Sequence, residues 1–105
     1  MTPLEQREMA HETEFARREE LKFRAREWAV RALAIWAAER LGKKDEAVKA
    51  YGDEIVAADV ANPSLDATIK RIAEALAPTG IAKVEVRQMM DRFLAAADAA
   101  AQRPL

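Results

Sequence analysis

The chain has 105 residues, of which 50% are hydrophobic, 6% aromatic and 33% charged, and its net charge at pH 7 is −1. That length suits one domain, and the near-neutral balance gives no electrostatic reason to expect nucleic acid or a membrane surface as partner. The lack of cysteine excludes disulfides and thiolate metal sites, while frequent alanine with only three glycines and four prolines points to an all-α fold.

The first helix is signalled at both ends. Thr2 is a predicted N-cap, Pro3 occupies the first helical position and Glu5 stands three residues after the cap. From Leu4 to Leu41 there is neither proline nor glycine, and only Thr13, Val30 and Ile35 are β-branched, so helix propensity is high throughout. Gly42 follows as a left-handed C-cap. Residues 5–27 are mostly charged, whereas 28–38, WAVRALAIWAA, are apolar almost all round. One end of this helix wants burial and the other wants water.

A second helix is expected over about 45–61, capped by Asp45, with Val48, Tyr51, Ile55 and Ala58 or Val60 along its inner side. Gly52 inside it costs roughly 1 kcal/mol relative to alanine, which close approach of another helix would explain. Asn62-Pro63 ends it, and Ser64 caps a third helix, about 65–77, with the stripe Leu65, Ile69, Ile72, Ala73 and Leu76. After the break Pro78-Thr79-Gly80, a fourth helix starts weakly near Ala82 or Lys83 and runs to about Gln102. Val86, Met89, Met90, Phe93, Leu94 and Ala97 form its apolar side, and Pro104 stops it. No strand pattern and no repeat is present.

Short connections favour antiparallel neighbours in a four-helix bundle. A first helix of about 57 Å exceeds partners of about 20–30 Å, so half of it lacks a companion within the chain. Residues 1–20 are therefore expected as an exposed N-terminal arm and 21–105 as the body. Leu21, Phe23, Trp28, Leu33, Ile35, Trp36 and Leu41 lie in the half that has partners. The eight-residue spacing of Trp28 and Trp36 suggests that both pack in the core. Glu14–Arg18 and Glu20–Arg24 support the arm as i, i+4 pairs of about 0.2–0.5 kcal/mol each. Leu4, Met9 and Phe15 are its candidate contacts; the plain alternative is an extension without a role.

Catalytic chemistry finds little footing. Glu8 and His11 have the Glu-x-x-His spacing of di-iron bundles, but such a site needs two motifs and further glutamates, and His11 is the one histidine. The glycines are isolated, so no phosphate loop exists. Met89-Met90 reads as core filling, and Lys43-Lys44 and Arg17-Arg18 are too short for a nucleic-acid footprint. No cofactor is expected, and an enzyme is not. The N-terminus carries no apolar signal segment, and the apolar run broken by Arg31 is too short for a membrane span, so a cytoplasmic protein is expected.

Several short matches, in order, resemble one family: Arg7-Glu8, Phe15-Ala16, Glu20-Leu21-Lys22-Phe23, Trp36-Ala37-Ala38-Glu39, Leu41-Gly42, Ala50-Tyr51, Glu54-Ile55-Val56 with Ala58-Asp59, and Met90-Asp91. Together they span nearly the whole chain and resemble the zeta subunit, the small inhibitor of the F-type ATP synthase in alpha-proteobacteria. In place of that family's basic Ala-Arg-Arg-Asn-like run, this chain has Glu27, Trp28, Ala29 and Val30. Its acidic linker before the third helix is here Ala61-Asn62-Pro63-Ser64.

The resemblance implies a four-helix body with an inhibitory N-terminal segment. That segment enters a catalytic interface between alpha and beta subunits, beside the gamma stalk, and blocks rotation in the hydrolytic direction. It places the protein at the membrane periphery through the synthase, without insertion. Carried onto this chain, the contact residues are Leu4, Arg7, Glu8, Met9, Phe15 and Arg17. Arg7 and Arg17 would meet acidic groups, and Met9 and Phe15 apolar gaps. The alternatives are a helical adaptor or homodimer using the arm for another partner, and a bundle that binds nucleotide weakly.

Overall fold

The computed structural model describes the backbone of residues 3–102 and the side chains of 13–100. The expected cap Thr2 and the stop Pro104 lie outside that range. Four α-helices and no strand occur among the described residues: α1 (Pro3–Arg40), α2 (Glu46–Ala61), α3 (Leu65–Leu76) and α4 (Lys83–Gln102), with a 3₁₀ turn at Ala77–Thr79. The fold is an all-α four-helix bundle, as the sequence predicts.

Local signals act at the helix ends where they are expected, with one exception. Gly42 has φ 80° and closes α1 with a doubled cap, its N–H donating to Glu39 O at 3.1 Å while Lys43 N–H donates to Ala38 O at 3.0 Å. Ser64 caps α3 by accepting from Ala67 N–H at 3.1 Å. Gly80 at φ 85° ends the turn after α3. Asp45 departs from expectation: it has φ 50°, ψ −117°, and its side chain makes no capping bond. A capping side chain needs extended backbone to reach the amides ahead of it. The first turn of α2 is closed by main chain instead, through Val48 N–H to Asp45 O at 3.1 Å.

The core forms along α1, against which all three other helices pack. Ala29, Val30, Leu33, Ala34, Ala37 and Ala38 are fully buried, and their spacing marks one inner face. Ile55 and Val56 of α2, Ile69, Ile72, Ala73 and Leu76 of α3, and Val86 and Met90 of α4 complete it. Ion pairs Arg26–Asp59 and Arg31–Asp53 show α1 and α2 running antiparallel.

The placement of the large apolar residues of α1 corrects the sequence reading. Only Leu33 of the seven expected to find partners is fully buried. Trp36 and Leu41 are half-buried against the core, while Leu21, Phe23, Trp28 and Ile35 are exposed. Trp28 is 51% exposed and touches the bundle through an edge contact with Phe93, ring centroids 6.3 Å apart. At 3.6 residues per turn, Trp28 and Ile35 lie opposite the alanine-lined inner face, so they cannot enter the core. Val60 is likewise exposed, and Val56 takes the buried place on α2.

Gly52 is buried where α2 crosses α1. A methyl group there would meet Arg31 Nη1 at 3.4 Å and Ile35 Cγ1 at 3.9 Å, which is ordinary contact. The approach is close, yet alanine fits. Gly52→Ala should therefore raise stability in a denaturant melt by up to about 1 kcal/mol through helix propensity. Gly42→Ala should lower it by about 1 kcal/mol, because its positive φ persists.

Candidate functional site

The molecule measures 63 × 25 × 23 Å. Its length is that of α1, whose 38 residues span about 57 Å. The 12 to 20 residues of the other helices cannot cover it, and residues 13–20 are all exposed. Phe15 is 66% exposed, and Arg17, two residues on, projects from a different side of the helix. An exposed phenylalanine on a projecting charged helix is a contact without a partner inside the chain. The side chains of Leu4, Arg7, Glu8 and Met9 lie outside the described residues, as does that of His11, although their backbone continues α1.

Charge pairs along this half are local. Arg24 Nη2 donates to Glu20 at 2.6 Å as expected, and Lys22 meets Glu19 at 3.6 Å. The expected Glu14–Arg18 pair is not among the ion pairs of the described residues. Fully solvated pairs gain little over the side-chain entropy they cost.

Where the projecting half meets the body, the chemistry changes. Arg26 grips Asp59 with both ends of its guanidinium, Nε to Oδ2 at 3.1 Å and Nη2 to Oδ1 at 2.9 Å. Oδ1 also accepts from Ser64 N–H and from the Thr68 hydroxyl, each at 3.3 Å. Asp59 is only 6% exposed, while Arg26 keeps 31% of its side chain in solvent. One carboxylate thus joins α1, α2 and the start of α3. Burial pushes the Asp59 carboxyl up, but the hydrogen bonds and charge of Arg26, with Ser64 and Thr68, outweigh it and hold it below its ordinary value. The same contacts raise the Arg26 guanidinium.

Sequence reasoning missed this clasp. Its one signal was an aspartate four residues after Ile55, on the buried stripe of α2. Among the described residues no group of three or more acidic or histidine side chains could hold a metal, and no helix is long and apolar enough to cross a membrane.

A projecting, charged half-helix clasped to a small bundle fits a protein that acts by reaching into something else. The family model for ATPase inhibitor subunit zeta matches residues 1–100. The chain belongs to that family. No curated protein and no solved structure matches it. Membership of the zeta family makes this a regulatory inhibitor of an ATPase that associates with the ATP synthase.

Ala29 and Val30 are fully buried and belong to the core, whereas Trp28 beside them is exposed.

Arg26→Ala should cost about 3 kcal/mol, because it strands a buried carboxylate. Asp59→Asn should cost less, about 2 kcal/mol, since Arg26 reaches water. The folded-state pKa of Asp59 is lowered, so its stabilisation is complete above the unfolded value of about 3.9 and is lost as pH falls through the lower folded value. Thermal melts of the unmodified chain should fall more steeply below about pH 4 than those of Asp59→Asn.

Proposed function

We propose that this chain inhibits ATP hydrolysis by the F-type ATP synthase through insertion of its N-terminal arm. The arm enters a catalytic interface between alpha and beta subunits beside the gamma stalk and stops rotation in the hydrolytic direction. The observation that supports this most is the continuity of α1: one helix emerges from a packed body and extends beyond it, and the described side chains of that half, 13–20, are all exposed. A wedge needs an anchored base, and the core and the Arg26–Asp59 clasp supply one for α1.

The division into an arm, 1–20, and a body, 21–105, draws support from α4. Its end reaches Leu21, where Leu21 and Ala25 border a groove with Ala97 and Ala100. Contact would come from Leu4, Arg7, Glu8, Met9, Phe15 and Arg17. Phe15 fills an apolar gap in the interface, and Arg17 pairs with an acidic group.

The test is an ATPase assay of the cognate catalytic head. Deletion of residues 1–19 should abolish inhibition while the thermal melt of the body barely moves. Full inhibition by the truncated chain would overturn the wedge. Phe15→Ala should weaken inhibition about tenfold, the loss expected for a buried aromatic contact, with an unchanged melt.

A further inference from the structure

The outer face of α1 carries an apolar feature that the fold leaves uncovered. Trp28, Ile35 and Trp36 with Phe93 of α4 border a groove of about 410 Å³. Trp28 also borders a second groove of about 280 Å³, toward Leu21 and Ala97. Contiguous apolar surface of this kind marks an interaction site.

The order of residues on this face says what fits it. At 3.6 residues per turn, Arg24, Trp28, Ile35 and Glu39 fall within about a sixth of the helix circumference, directly opposite the buried alanines. They are also symmetric about the point between Arg31 and Ala32. Trp28 and Ile35 are equidistant from it, and farther out Arg24 is balanced by Glu39. Trp28 and Ile35 are apolar counterparts, and Arg24 and Glu39 carry opposite charges. Under reversal these four positions are complementary.

We propose that this face binds a second copy of the chain, α1 against α1 in antiparallel order about a two-fold axis beside Arg31 and Ala32. Trp28 then packs on Ile35 of the second copy, and Arg24 meets Glu39 of the second copy, each contact occurring twice by symmetry. A parallel pairing would set Arg24 level with Arg24 and Glu39 level with Glu39, opposing like charges. Arg24 is free to take part: its pair with Glu20 is solvated. Glu39 is exposed and makes no ion pair among the described residues. The helical overlap, from Phe23 to Arg40, covers about 27 Å. The contact uses the body, is independent of the inhibitory reading, and leaves the two N-terminal arms pointing in opposite directions.

Sedimentation of the full chain over a range of concentrations tests the pairing. A concentration-dependent dimer is expected, weakened about tenfold by Arg24→Glu and restored when Glu39→Arg is added to the same chain. Helix content by circular dichroism should be equal in all three. Orientation is read by single cysteines, which the native chain lacks. Under mild oxidation Ala32→Cys, beside the axis, should form a disulfide-linked dimer. Glu39→Cys, with its two copies about 22 Å apart, should not, because a disulfide needs Cα atoms within about 7 Å. Equal cross-linking of both variants would overturn the antiparallel order. A chain that stays monomeric up to its solubility limit would overturn the proposal and leave the face to the catalytic head.

Discussion

The structure depends on how closely other helices can approach α1. Its inner face is built from Ala29, Ala34, Ala37 and Ala38 with Val30 and Leu33, all fully buried. Small side chains let neighbouring backbones draw near, and the core volume is then supplied from α2, α3 and α4 by Ile55, Ile69, Ile72, Leu76 and Met90. No space remains on that face for an indole. The large apolar residues of α1 are displaced outward by this arrangement, and the surface of the body follows from the economy of its centre.

The second consequence concerns length. A helix that acts as the axis of its bundle can outrun the elements packed on it without losing register, because its own hydrogen bonds continue past the last tertiary contact. The Arg26–Asp59 clasp stands where that happens. A buried carboxylate with one bidentate and two further partners is costly to leave incomplete, so α1 is held in one position relative to α2 and α3. Whatever force the projecting half experiences is delivered to a charged and satisfied junction. An apolar contact there would slide more readily, since it has no directional preference.

Much of this was legible in the chain itself. Gly42, Ser64, Pro63 and Gly80 each carry a local backbone requirement, and the helix boundaries they imply agree with those observed to within a residue or two. The stripe of α3 was readable because its apolar residues keep a strict helical period. The faces of α1 were not. Residues 28–38 are apolar almost all round, and a helix without a polar side gives no indication of which side is turned inward. Size misled there: tryptophan suggests burial, yet alanine was the residue that closeness demanded. Asp59 was hidden for a related reason, since its partner Arg26 lies 33 positions away and no periodicity links them. Of the candidate contact residues, Phe15 and Arg17 are exposed, but what they touch belongs to another molecule, which no property of this chain spells out.

The stretch Glu27–Val30 serves two sides of α1. Ala29 and Val30 are fully buried and carry the core toward the clasp. Trp28 lies on the outside, exposed beside Ile35, Trp36 and Phe93. That apolar surface is available to a partner, and the charges around it, arginine toward one end and glutamate toward the other, favour a surface with the reverse order. The body of this inhibitor presents such a surface itself.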